Sequence, residues 1–190
     1  MSEAFAYSRI PVADYLRAER TADVRHEYVD GEIFAMVGAS RRHNHIALNL
    51  VEALRPMARE RGCSAYAGDV KVRVEAANAF YYPDLVVTCA AGDDDPYVVH
   101  APSIIVEILS DSTEAIDRRE KRMNYQRLPS LTDLLLVAQD ERRIDHYRRG
   151  PGGWDHMVHT GGAIPLESLG AALSLETVYA GSGIVPSVTP

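Results

Sequence analysis

Two carboxylates and one ammonium carry the chemistry this chain offers. Asp84 follows Pro83 at the head of the apolar run Leu85-Val86-Val87. Glu107 sits inside a second run, between Ile104-Ile105-Val106 and Ile108-Leu109. A carboxylate inside such a run is costly unless it is paired, hydrogen-bonded or bound to a metal. If the two runs are neighbouring strands, both carboxylates can converge on one ion. Their oxygens suit Mg2+ or Mn2+, and the shortage of cysteine and paired histidine argues against zinc. Lys121, on the next helix-like segment, would bring a charge that offsets charge developing on a transferring phosphoryl group. An ion pair of Glu107 with Lys121 is the purely structural alternative.

These residues need elements to hold them. Pro83 sets an extended entry to the strand, so Asp84 is expected near the strand end. Continuous aliphatic runs at Asp84 to Cys89, Ser103 to Leu109 and Asp133 to Ala138 predict strands buried on both faces. Ser110-Asp111-Ser112-Thr113 predicts the start of a helix from about Thr113 to Arg127, closed by Pro129. On it Asp117, Lys121 and Tyr125 share one face at steps of four, while Ile116 and Met123 lie on another face and are expected to pack on the sheet. Tyr125 can add a hydrogen bond or position the lysine.

A second helix is predicted from about Arg42 to Glu60, capped by Ser40, stopped by Gly62 and kinked at Pro56. His43 falls in its first turn, where a catalytic or phosphate-contacting role competes with a plain helical one. His26 to Met36 alternates around Asp30-Gly31 and predicts a hairpin, with Glu27 and Glu32 flanking the turn. A short helix over Pro11 to Arg20, an exposed-face strand over Ala65 to Glu75 and an edge hairpin from Arg143 to Arg148, turning at Gly150 to Gly153, complete the pattern. The order helix, three strands, helix, strand gives an α/β core with a mixed central sheet and added hairpins.

The 190 residues, 46% of them hydrophobic, fit one domain over 1–180, followed by a flexible tail over 181–190, within a loosely held stretch from Val178. A net charge of -7 disfavours general polyanion binding. Basic groups nevertheless occur at Arg41, Arg42, His43 and His45, at Arg118, Arg119, Lys121, Arg122 and Arg127, and at Arg142, Arg143, His146, Arg148 and Arg149. Asp69 reads as structural and Asp93-Asp94-Asp95 as a solvated loop. Cys63 and Cys89 read as reduced and structural. Met1 to Ile10 lacks a secretory pattern and no apolar run is long enough to span a bilayer, so a cytoplasmic location is expected.

Pro83-Asp84, Glu107-Ile108-Leu109-Ser110 with Ser112-Thr113, Lys121 and Tyr125 together resemble the Uma family of proposed endonucleases in the PD-(D/E)XK nuclease superfamily. The likeness extends to Glu27-Tyr28-Val29-Asp30-Gly31-Glu32 and His43, and covers about residues 10 to 150. It implies a restriction-endonuclease-like fold, metal binding by Asp84, Glu107 and the carbonyl of Ile108, and phosphodiester hydrolysis by metal-bound water. Leu109 stands where the usual signature carries lysine, and Lys121 resembles that lysine moved to the next helix. Asp111 stands where similar proteins often carry proline. The resemblance further implies Mg2+ or Mn2+ as cofactor, DNA as partner, a homodimer, and Glu27 or Glu32 as a third acid. The catalytic set is then Asp84, Glu107, Lys121, Glu27, His43 and Tyr125. The alternative is a non-catalytic nucleic-acid-binding or assembly module that keeps the fold, to which the acidic net charge and Leu109 point. Hydrolysis of another phosphate ester is a third class.

Overall fold

The computed structural model describes residues 9–110 and 117–185. Its elements are α1 (Val12–Glu19), β1 (His26–Val29), β2 (Glu32–Ala35), α2 (Arg41–Glu60), β3 (Ser64–Ala67), β4 (Lys71–Val74), β5 (Ala79–Tyr81), β6 (Leu85–Thr88), β7 (Val98–Val99) and β8 (Pro102–Leu109). A π-helical turn (Asp117–Lys121) then leads into α3 (Arg122–Tyr125). It is followed by β9 (Asp133–Ala138), β10 (Ile144–Gly150), β11 (Gly153–His159), β12 (Ala163–Leu166), β13 (Ala171–Ser174) and α4 (Leu175–Tyr179).

The central sheet runs β11-β10-β9-β8-β6-β3. Its strands are mixed in direction: β8 and β9 pair parallel, while β6 with β8 and β3 with β6 pair antiparallel. Strands β6, β8 and β9 are buried at every position, which is why they read as unbroken aliphatic runs. One face packs on α2 through Ile46, Leu50, Leu54 and Ala58, and on the carboxy-terminal hairpin and α4 through Ile164, Leu173 and Val178. The other face, with Val86, Ile105, Leu109, Leu134 and Leu136, packs on Tyr125, Leu128 and a second sheet. That second sheet runs β2-β1-β5-β4-β7.

Local signals explain the ends of several elements. Ser40 Oγ accepts from the His43 N–H at 3.0 Å and opens α2, and Gly62, at φ +71, follows its end. Asp30 and Gly31 both take positive φ and join β1 to β2 by a two-residue turn, with Val29 opposite Glu32.

Several expectations are corrected. Ala65 to Glu75 is not one strand: β3 and β4 lie in different sheets, and Gly68, at φ +73, turns the chain between them. Met123 does not pack on the sheet and is 55% exposed, because the short α3 turns Asn124 and Tyr125 inward instead. Val178 and Tyr179 are buried core residues of α4, so the chain is held firmly to that point. The third basic group is largely internal: Arg142 pairs with Glu176, His146 with the buried Asp133, and Arg149 donates to the carbonyls of Leu128 and Leu131.

The cysteines are not reduced: Cys63 and Cys89 form a disulfide. Ser64 opposes Thr88 in the β3–β6 pair, so the two cysteines occupy the next register step, with Cα atoms 4.3 Å apart. The predicted helix start at Asp111 to Ile116, the first eight residues of the amino terminus and residues 186–190 of the tail lie outside the described residues, as does the Asp117 side chain. No described helix is long and apolar enough to cross a membrane.

Candidate active site

Asp84 and Glu107 meet because β6 and β8 are antiparallel neighbours. Leu85 opposes Val106, so Asp84 and Glu107 occupy the next step of the same register and share a face of the sheet. Asp84 lies just before β6, where its carboxylate can turn: Oδ2 accepts from the Ile108 N–H at 2.7 Å, and Oδ1 lies 3.2 Å from His43 Nε2. The Ser40 cap aims His43 at this point. Ser40 Oγ also donates to Gln139 Oε1 at 2.8 Å, tying the start of α2 to the chain just past β9.

Glu107 is buried in mid-strand, its side chain only 4% exposed. Its cost of burial is met from the helix that follows. Tyr125 donates its hydroxyl to Glu107 Oε1 at 2.7 Å, and Lys121 Nζ lies 3.6 Å from the same oxygen. Lys121 and Tyr125 are four residues apart, so both reach down from one helix face. The π-helical turn that ends at Lys121 is the type of widened turn found at functional sites.

Glu27 enters from β1 of the second sheet. Its Oε1 is 2.7 Å from Lys121 Nζ and accepts from the Tyr82 N–H at 3.2 Å. Lys121 therefore bridges carboxylates from two sheets. Around it lies a group that sequence reading missed: Asn124 Nδ2 donates to Tyr81 Oη at 2.6 Å, and Tyr81 Oη donates to Glu120 Oε1 at 3.2 Å. The Tyr81 ring is 5.7 Å from Lys121 Nζ and edge-on to Tyr125. Burial pushes the Tyr81 hydroxyl well above the ordinary tyrosine range. Tyr81 carries no sequence signal beyond the apolar-aromatic run Phe80-Tyr81-Tyr82; its role appears only when β5 is seen beside α3.

Behind Glu27 a second buried group supports β1 and β5. Glu19 accepts from the His26 N–H and the Tyr82 hydroxyl, at 2.8 and 2.9 Å, and Lys71 Nζ donates to Tyr82 Oη at 3.3 Å. Burial lowers the Lys71 pKa, and burial followed by the bond to Glu19 raises that of Tyr82.

All six expected catalytic residues thus come to one region, in two linked parts: Asp84 with His43, and Glu107 with Lys121, Tyr125 and Glu27. Among the described residues, the other acids the sequence singles out do not join them. Glu32 is exposed beyond the hairpin turn, and Asp69 pairs with Arg25. The Asp93-Asp94-Asp95 run braces its own loop, Asp93 accepting from the His100 and Ala101 N–H groups and Asp95 from those of Tyr97 and Val98. Among the described residues no group of three or more His, Cys, Asp or Glu is assembled to hold a metal. Asp84 and Glu107 are two hard oxygen donors, and that set fits Mg2+, which keeps several waters and takes one or two carboxylates plus phosphate oxygens. It does not fit a closed zinc or calcium cage.

A family model described as "Putative restriction endonuclease", Uma2, matches residues 12–178. The chain belongs to the Uma2 family. Two uncharacterized proteins of Synechocystis sp. are similar to this Uma2 member. The one named slr1290 is 30% identical over 184 residues, covering 95% of this chain and 96% of that protein. The other, sll1609, is 30% identical over 143 residues, covering 74% and 81% respectively. The Uma2 fold here also resembles a crystal structure titled as a putative nuclease of DUF820 from Anabaena variabilis. The TM-score is 0.73 and the identity 16%, over 90% of this chain and 98% of that one.

Proposed function

We propose that this Uma2 chain is a metal-dependent DNA endonuclease that hydrolyses phosphodiester bonds with Mg2+ or Mn2+. The observation that carries the reading is the pairing of Asp84 and Glu107 across β6 and β8 with the Lys121 ammonium 3.6 Å from Glu107. Buried ionisable groups that converge from three separate elements are costly to keep as scaffold, and such clusters concentrate at functional sites.

Asp84 and Glu107 would hold the ion, with the Ile108 carbonyl as a candidate third donor. When bound, the ion supplies Lewis acidity at the phosphoryl group and makes water more acidic. The chain's own groups do the rest. The Ile108 N–H and His43 fix the two oxygens of Asp84, and Tyr125 fixes Glu107. Lys121 brings a positive charge with three donors for a non-bridging phosphate oxygen or the attacking water, and Glu27 aims it. His43 stands beside Asp84, where its imidazole can hold or release a proton near the leaving oxygen. Arg41, Arg42 and Arg119, all exposed, supply charge for the nucleic-acid backbone near the site.

Plasmid nicking with Mn2+ tests this. Wild type should convert supercoiled DNA to open circles, and Asp84→Ala, Glu107→Ala and Lys121→Ala should each abolish it. Undiminished nicking by all three variants would sink the assignment. A wild type that binds DNA but neither binds Mn2+ nor cuts is instead the non-catalytic module, with Lys121 as a structural ion-pair partner.

A further inference from the structure

Glu32 to Ser40 is a run of nine exposed residues, and Ile33, Phe34, Ala35, Met36, Val37 and Ala39 within it are apolar. Ile33, Phe34, Met36 and Val37 are 46, 48, 39 and 65% exposed. Strand β2 in this run is the outermost strand of its sheet. The ladder continues past it, the Met36 N–H donating to the Arg25 carbonyl at 2.8 Å, which sets Val37 against Val24, itself 49% exposed.

Apolar residues on both faces are the pattern of a strand covered above and below, not of an edge. The covering of this sheet stops one strand short. On one face α1 reaches β1, where Tyr15 stacks on Tyr28 at 4.9 Å. On the other, Lys121 reaches Glu27, also on β1. Opposite these lie Ile33 and Phe34, both left exposed by the described residues. Edges of this kind are usually blunted by lysine, proline or a bulge, and residues 32–40 hold neither lysine nor proline.

We infer that β2 is a self-association edge, pairing antiparallel with β2 of a second copy of this chain about a two-fold axis. A strand meeting its own twin antiparallel is self-complementary, as a two-fold interface requires. The pairing sets acidic Glu32 of each copy toward the end of the other strand that leads into Arg41 and Arg42, so the flanking charges are of opposite sign. Val24, Ile33, Phe34, Met36 and Val37 together offer on the order of 400 Å² of apolar surface per copy. That is about half of the ~800 Å² that each partner buries in a standard interface, and the paired backbones and flanking residues add to it. A two-fold normal to the sheet leaves the Glu27 residues of both copies on one face, with their β1 strands about 14 Å apart at ordinary strand spacing. Only that last consequence, two sites facing one duplex, rests on the nuclease reading.

Sedimentation analysis of the full chain, without DNA or metal, tests the inference separately from cleavage. Wild type should sediment as a dimer at micromolar concentration. The Ile33→Lys/Phe34→Lys double variant should be monomeric with an unchanged far-UV spectrum, since both positions are exposed in the single chain, and its melting temperature should no longer depend on protein concentration. Hydrogen exchange on wild type needs no variant: outward-facing β2 amides should gain protection on passing from dilute to dimeric protein. A monomeric wild type, a dimer that survives the double substitution, or concentration-independent exchange at β2 overturns the inference. A monomeric wild type whose double variant loses DNA affinity assigns the strip to nucleic acid instead.

Discussion

The Tyr125 hydroxyl donates to Glu107 Oε1 at 2.7 Å, and with Lys121 it holds a carboxylate that is almost entirely buried in β8. Tyr125→Phe removes that bond while keeping the ring in its core position against Tyr81. A hydrogen bond to a charged group contributes about 1.5–3 kcal/mol, so cleavage should fall by roughly 10- to 100-fold. Thermal melting should change far less than activity if the bond serves orientation, and kinetics on a nicked-plasmid assay would register the difference.

Lys121→Met leaves Glu27 and Glu107 buried without their shared cation. Removing one partner of a buried ion pair costs about 3–5 kcal/mol, so the variant should melt well below wild type. Mn2+ should then raise its melting temperature more than that of wild type, because the ion replaces a missing positive charge. A variant as stable as wild type, with no response to Mn2+, would show that the ammonium is not holding these acids.

Alkaline pH should unfold the protein cooperatively. Tyr15, Tyr81, Tyr82 and Tyr179 are all raised above the ordinary value of 10.0, with burial the largest cause in each. In the unfolded chain they ionise near that value, so above it the folded state binds more protons and loses stability as pH rises. Each contributes a slope of at most about 1.4 kcal/mol per pH unit. Lys71 acts oppositely: burial lowers its pKa, the fold releases that proton first, and stability gains slightly up to the ordinary 10.5. Four groups outweigh one. Denaturant titrations should show stability falling as pH rises past about 10, and part of the tyrosinate absorbance should appear only with loss of structure.

The Cys63–Cys89 bond spans 26 residues of chain and ties the end of α2 to β6. A loop of that size implies about 3 kcal/mol from restricting the unfolded chain. Dithiothreitol, or Cys63→Ser with Cys89→Ser, should lower the melting temperature by several degrees while leaving metal binding intact, since neither cysteine touches Asp84 or Glu107. An unchanged melt under reduction would count against the bond.

Sequence legibility followed the range of the interaction. The α2 start, the Asp30-Gly31 hairpin and β9 were readable because Ser40, the Asp-Gly turn and an aliphatic run are local signals. Asp84 and Glu107 could be singled out because a carboxylate in an apolar run needs an explanation wherever it falls. The disulfide was not readable, because it depends on which residue of β3 meets which residue of β6. The split of residues 64–75 hangs on one glycine conformation, and the Tyr81, Asn124 and Glu120 group exists only once β5 lies beside α3. Glu27 could be flagged from family likeness, yet its reach to Lys121 depends on two sheets meeting.

A crystal of the protein soaked in Mn2+ and measured at the manganese edge bears most directly on the proposed site. An anomalous peak between the carboxylates of Asp84 and Glu107, with Lys121 Nζ turned toward it, is the expected result. Absence of a peak there at millimolar Mn2+, with Lys121 still closed on Glu27 and Glu107, would contradict it.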